Sequence, residues 1–436
     1  MTSAASTAAS SGSVQTGPVP APVDPHYLRD VTELGDTLEI RTRRAIWSKS
    51  RIKLVDKGVR VDSRLYERLM QYKLQPAIEE CLEIPDAVCA AELRRETIRL
   101  FESGSGYSSL RELAANPRDI LSAIEQVPMD DGLAFRMTVM RERRPAMYAH
   151  AVGVAALSAC LARSAGIAGE RLRRAAAAGV YHDIGEMHLD PQLLETRRPL
   201  EEGERRHIYT HPLTAYFVLQ EHECCSGGIA DAVLEHHERI DGSGYPRGIG
   251  GDELSEAGRI VALAELATAF FAQESASGAL QRLRVVLRLN HRRFDAVLTD
   301  ALVDLIRKTA PGAAAIAPAE AAIVLSRVET IRKIVEDWRS LLAGGSERGS
   351  AFEWAAGRMV HLERALLEAG LGTMDGEDLA AVIEQDAGAA QELLTTAREL
   401  GWLLQEIVNG LYRDPAVVPG QALAQWASRT RENLTA

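Results

Sequence analysis

Residues 236–246 read His-His-Glu-Arg-Ile-Asp-Gly-Ser-Gly-Tyr-Pro, and a His-Asp pair stands upstream at His182 and Asp183. Single histidines at His150 and His211 complete a set of imidazoles and carboxylates. Such ligands suit iron, manganese or zinc rather than a calcium cage, which is built of oxygens. Eight of the eleven histidines fall between His150 and His237, a clustering that chance scatter seldom gives.

Two divalent ions about 3.5–4 Å apart can clamp a phosphodiester and draw hydroxide from water near neutral pH. Two ions need more ligands than one, and a carboxylate to bridge them. Asp183, directly after a ligand histidine at the end of a helical segment, is the natural bridge. Neighbours on a helix point about 100° apart. His236 and His237 therefore suit a site where each ring meets a different ion, or where one ring alone binds. A lone His-Asp pair is weak evidence of a metal site. His188, His207 and His222 are read as ordinary solvated or half-buried histidines. By itself the Gly-Ser-Gly-Tyr-Pro stretch is a turn. The specificity lies in the order and spacing of the whole set.

That order resembles the HD-GYP family, a subgroup of the HD metal-dependent phosphohydrolases. The likeness covers about residues 140–275: His150, His182-Asp183-Ile184-Gly185, His211, His236-His237-Glu238, and Asp241-Gly242-Ser243-Gly244-Tyr245-Pro246. It implies a helical bundle holding two iron or manganese ions and hydrolysing cyclic di-GMP to pGpG or GMP. By resemblance the metal ligands are His150, His182, Asp183, His211, His236, His237 and Glu265. Gly244, Tyr245 and Pro246 would meet substrate and Asp183 would be catalytic; Glu186 joins it as a catalytic candidate through its own acid chemistry, not through the resemblance.

Four positions depart from the family pattern. Glu265, in Leu263-Ala264-Glu265, stands where the family has Asp, one methylene longer. Glu186 stands where Lys is expected in His-Asp-x-Gly-Lys. Glu274 stands where an Arg is expected. Ala146 replaces the Glu that three-metal members carry four residues before the first histidine, which favours two ions at most. Lys to Glu changes the local charge by two units. One unit pair at 4 Å is worth about 4 kcal/mol at an effective dielectric of about 20, against a tenfold rate per about 1.4 kcal/mol. Glu186 could instead bind a metal or accept a proton. Loss of Arg at 274 removes a bidentate fork for phosphate or guanine. Two readings follow: a cyclic di-GMP phosphodiesterase, or a degenerate module that binds metal, nucleotide or a protein without turnover.

The ligands must be positioned by helices, since bundles build metal sites from facing helices. Apolar periodicity predicts helices over Ala149–Leu161, Leu172–Tyr181, Glu204–Glu221, Ile229–Glu238 and Leu254–Gln273, the third carrying His207 and His211 on one face. Residues 135–312 are expected to be the phosphohydrolase domain. Before it, residues 1–29 read as a disordered Ser/Ala/Pro tail and 30–130 as a small mixed α/β module. In that module, Leu38–Arg43 and Ile52–Val55 look like strands about a Ser48-Lys49-Ser50 turn. Asp62 or Ser63 is expected to cap a helix running to Leu74. Residues 315–436 read as further helices without a chemical motif, so the fold class is mainly α.

At 436 residues the chain has room for two or three domains. Its net charge of -11 argues against general affinity for DNA, RNA or anionic membrane. No apolar run was expected to approach the ~18 residues of a membrane span. Five unevenly spaced cysteines fit reduced thiols in a cytoplasm rather than a disulfide framework. The expected partners are cyclic di-GMP or a related nucleotide, with a protein partner or a second copy as further candidates.

Overall fold

The computed structural model describes residues 25–103, 105–113, 117–195, 202–225, 228–272, 276–309, 318–345, 348–411 and 419–435. Contacts divide the chain into Met1–Pro85 and Asp86–Ala436. Residues 1–24 of the expected tail lie outside the described residues. Residues 25–29 do not belong to a disordered tail. Pro25–Thr37 is a helix that buries Tyr27, Leu28, Val31 and Leu34. Their spacing is that of one apolar helix face.

In the first unit the two expected strand runs shrink to Arg41–Thr42 and Lys53–Val55, and they do not pair with each other. Arg41–Thr42 pairs with Leu82–Glu83, and Lys53–Val55 with Ile46–Trp47, both antiparallel. The cause is the tight turn at 48–51. Ser48 Oγ accepts from the Ile52 amide at 3.0 Å, which returns the chain onto the residues just before it. Asp62 is the cap, accepting from the Arg64 amide at 3.1 Å. The helix it opens stops at Met70, and Leu74 runs extended beside Ser48.

The second unit is helical, as its 3.6-residue apolar periodicity dictates. Five helices surround the histidines: Pro145–Ser164, Gly169–Tyr181, His211–Gln220, Gly228–Glu235 and Glu256–Phe271. The first starts on Pro145, where a missing amide costs nothing. It packs on both Gly169–Tyr181 and Glu256–Phe271. The last is capped by Ser255, which accepts from the Gly258 amide at 3.0 Å. Helices Ala90–Glu102 and Pro117–Glu125, expected in the 30–130 module, fall in this unit and pack on Pro145–Ser164.

Three expectations need correction. Glu204–Glu221 is not one helix but two, Glu202–Ile208 and His211–Gln220, broken at Tyr209-Thr210 because Pro212 cannot continue the earlier ladder. His207 is exposed on the first of these, whereas His211 is buried at the start of the second. The helix before the His pair ends at Glu235, so His236 and His237 lie in the turn beyond it. Pro145–Ser164 is long and apolar enough by composition to cross a bilayer, although 72% of its most apolar stretch is buried among neighbouring helices and it carries His150.

Beyond these, helices Pro318–Gly344, Ser350–Glu368, Gly376–Gln385, Ala387–Gly410 and Gln421–Thr435 share one apolar core, centred on Trp338 and Trp426 with ring centroids 5.0 Å apart. Arg282 and Arg288, on the helix Ala276–Leu289, pair with Glu399 and Glu392 on Ala387–Gly410.

Candidate metal centre

Three of the expected ligands sit just past helix C-termini. His182 follows Gly169–Tyr181 directly, His211 comes three positions after Ile208 and opens the next helix, and His236 follows Gly228–Glu235 directly. A helix end leaves carbonyls without partners, and each histidine takes one. Nδ1 of His182 lies 2.9 Å from Gly179 O, that of His211 2.8 Å from Ile208 O, and that of His236 2.6 Å from Val233 O. Donation from Nδ1 fixes the tautomer and leaves the Nε2 lone pair facing inward, the usual support for a ligating imidazole.

The inward atoms form two donor groups within 4.8 Å: Asp183, His211, His236 and His237 in one, and His150, His182, Asp183 and Glu265 in the other. Asp183 belongs to both, one oxygen to each. Its Oδ1 is 3.3 Å from His211 Nε2 and 3.6 Å from His236 Nε2. Its Oδ2 is 2.9 Å from His182 Nε2 and 3.7 Å from His150 Nε2. Glu265 closes the second group, with Oε2 2.8 Å from His150 Nε2 and 3.2 Å from His182 Nε2. His236 and His237, both beyond the helix, join the same group rather than separate ones, with ring centroids 4.1 Å apart.

The donors fit divalent cations better than they fit one another. His211 and His236 bring their Nε2 atoms within 3.1 Å. His182 Nε2, fully buried, has no hydrogen bond of usable geometry despite its carboxylate neighbours. A buried polar atom left so is costly. Burial pushes His236 down to about 4 and holds His237 well below the ordinary histidine value, the neutral form in which imidazole ligates. Burial also opposes charge on His182 and His211, but the Asp183 carboxylate beside them holds both above that value. Burial would raise Asp183 and Glu265; their histidine neighbours hold both low instead, so both stay anionic.

Two glycines let this set close up. A Cβ on Gly185 would fall 2.1 Å from His211 O, so Gly185 allows the His182-Asp183 turn to lie against the next ligand's backbone. A Cβ on Gly244 would fall 2.5 Å from His237 O and 2.4 Å from Glu238 Cα. Gly244 therefore folds the loop under the His pair, and the Tyr245 amide donates to His237 O at 3.2 Å. Tyr245 stacks on the His237 ring (4.6 Å, 21°), and Tyr209 stacks on the other side of Tyr245 (4.2 Å, 22°). Pro246 follows and is exposed.

Glu186 lies half-buried outside both donor groups. Burial, with the nearby Asp183 charge, pushes its carboxyl up to about 7. Glu274 lies outside the described residues. His188 and His222 are held by structural partners, Arg136 at 3.1 Å and Asp130 at 2.8 Å.

Three supporting residues, Arg144, Glu235 and Tyr209, escaped the sequence reading, and Glu238 was read there only as part of the His-His-Glu run. Arg144 donates to the carbonyls of Glu186, Met187 and Leu189, pinning the turn after Asp183. Glu235 accepts from Arg247 (2.9 Å) and the Ser255 amide (2.9 Å), and Glu238 from the Arg247 and Gly248 amides. A carboxylate at a helix C-terminus is disfavoured by the dipole, so Glu235 carried a signal that some partner must exist. Tyr209 gave no signal beyond its nearness to His211.

The HD domain family model matches residues 136–296. A cyclic di-GMP phosphodiesterase of Pseudomonas aeruginosa is 34% identical over 27% of this chain and 29% of its own. The 3'3'-cGAMP-specific phosphodiesterases 1 and 3 of Vibrio cholerae are 29% and 27% identical, over 36% and 47% of this chain and 37% and 46% of theirs. The chain thus spans less than half the length of these curated relatives. The matched segment contains every residue of both donor groups and the Gly-Tyr-Pro loop. Over residues 136–296 the chain is thus similar to HD domains, and the relatives matched are named as cyclic-dinucleotide phosphodiesterases.

Proposed function

We propose that the chain is a metal-dependent phosphodiesterase that opens cyclic di-GMP to pGpG, within a cytoplasmic signalling circuit. The observation that carries this reading is the split of Asp183, with Oδ1 turned to one histidine group and Oδ2 to the other. Two iron or manganese ions would be held, one by Asp183, His211, His236 and His237 and one by His150, His182, Asp183 and Glu265. When bound, such ions supply Lewis acidity to a phosphoryl oxygen and a nucleophile from water. The names of the matched relatives supply the substrate class, a cyclic dinucleotide.

The chain's own residues do the rest. Asp183 and the histidines, aimed by helix carbonyls, fix the donor positions. Glu186, its carboxyl pushed up to about 7 by burial, is poised to gain or give up a proton beside the site near neutral pH. The Gly244-Tyr245-Pro246 loop walls the side on which His237 lies. A second reading, a module that binds metal and nucleotide without turnover, is favoured by the acid at Glu186 where a cation would assist an anionic substrate. Anaerobic assay with Fe(II) or Mn(II), resolving linear pGpG by chromatography, separates the two. Metal-dependent pGpG carries the first reading, and bound metal without product carries the second.

A further inference from the structure

We propose that Tyr209 is the platform on which a purine base of the bound nucleotide stacks, an inference that rests on the nucleotide phosphodiesterase reading. Three rings form a column leading out of the donor groups. His237 stacks on Tyr245 at 4.6 Å and 21°, and Tyr245 stacks on Tyr209 at 4.2 Å and 22°. His237 and Tyr245 are partly covered, whereas Tyr209 is 41% exposed. One face of Tyr209 is taken by Tyr245, which leaves its other face and its edge as the parts of the ring that a base can reach. The break between Glu202–Ile208 and His211–Gln220 holds the ring there, with the Tyr209 amide bonded to Arg205 O at 2.9 Å. The position is therefore set by backbone, two residues from the ligand His211, and among the described residues Tyr245 is the one ring stacked on Tyr209.

The charged groups of the site explain why a ring should serve this purpose. Arg144 is spent on the carbonyls of Glu186, Met187 and Leu189, Arg239 on those of His236 and Glu238, and Arg247 on Glu235. These guanidiniums are committed to the scaffold rather than to a base edge. Stacking needs no edge, and because every base has a π-face it accepts guanine and adenine alike. Tyr209 thus gives the site a preference for purine nucleotides over base-free phosphates, without a strong choice between the two purines.

The test is calorimetric titration of the manganese-loaded full chain with GMP, with AMP, and with ribose 5-phosphate as the probe that lacks a base. Loss of one stacking contact is expected to weaken GMP about tenfold in Tyr209→Leu, with ribose 5-phosphate held within about twofold and AMP within about threefold of GMP in the unchanged chain. Tyr209→Phe, which keeps the ring, should match the unchanged chain; a role in mere space-filling would be met by leucine as well. Equal GMP affinity in Tyr209→Leu overturns the platform, and if the unchanged chain still converts cyclic di-GMP the phosphodiesterase reading stands without it. If the unchanged chain neither binds GMP nor turns over cyclic di-GMP, platform and phosphodiesterase reading fall together.

Discussion

His211 and His236 face each other through Nε2 atoms 3.1 Å apart, while each ring turns Nδ1 to a backbone carbonyl. Were both rings neutral they would meet lone pair to lone pair, although, against the effect of burial, the Asp183 carboxylate favours a proton on His211. Only a proton or a cation between them relieves the contact. Manganese should therefore raise the melting temperature and a chelator should return it. At a hundredfold excess over its dissociation constant the ion adds about 2.7 kcal/mol. Scanning calorimetry with and without metal measures this, and a transition that ignores manganese would remove the cation from the site.

Asp183 and His150 should differ in what their loss releases. Asp183 serves both donor groups, His150 only one. Asp183→Ala is expected to strip both ions, because each group loses its shared oxygen. His150→Ala should leave one ion behind. Elemental analysis of the purified variants reads the stoichiometry directly, and equal losses would deny Asp183 its bridging place.

Glu265 reaches His150 and His182 with a side chain one carbon longer than the Asp that the HD-GYP resemblance leads one to expect. Glu265→Asp restores the family residue but withdraws the oxygen by about 1.5 Å, the length of a C–C bond. A displacement of that order is expected to lower turnover about a hundredfold. Faster turnover in Glu265→Asp would mean that the backbone here is set for the shorter acid.

Glu186 stands beside Asp183 without joining either donor group. If its carboxyl handles a proton, Glu186→Gln keeps shape and metal content while kcat falls about a hundredfold, a usual size for one acid–base group. Metal analysis alongside kinetics separates this from a loss of ligand. Unchanged kcat assigns Glu186 no part in the chemistry.

Asp130 caps the helix Asp131–Arg143, accepting from the Leu133 amide at 2.9 Å and from His222 at 2.8 Å. Burial alone would raise its carboxyl, yet the Leu133 amide and His222 hold it below the ordinary value. A depressed acid stabilises the fold above the unfolded value, and that stability is lost as pH falls toward the depressed one. Asp130→Ala should cost about 1 kcal/mol at pH 7, as caps do. The difference from the unchanged chain should shrink below about pH 4, near the ordinary Asp pKa. Denaturant titrations at pH 7 and pH 3 measure it, and a cost that does not vary with pH would exclude the charged cap.

The site was legible because its chemistry sits in residue types that are scarce and closely spaced. His150, His182, Asp183, His211, His236 and His237 were named from sequence, and the helices bring their donor atoms together. What periodicity misread was the backbone between them. One apolar stripe ran from Glu204 to Glu221, and Pro212 broke it without disturbing the pattern. The helix before His236 ended earlier than its apolar run, because Val233 O is needed by the His236 ring rather than by the next turn. Strand pairing in the first unit was not legible, since Ser48 Oγ rather than any apolar pattern decides which segment meets Lys53–Val55. Arg144 looked like any surface arginine, and nothing local to it announces three carbonyls more than forty residues away.

The carbonyls that end three helices are also what aim three imidazoles. Secondary structure and ligand orientation are therefore set in a single folding event. The direction of each lone pair is therefore inherited from the helix that ends beside it. A substitution that frays the last turn of Gly169–Tyr181 would act at a distance, blunting ion affinity well before the bundle itself gives way.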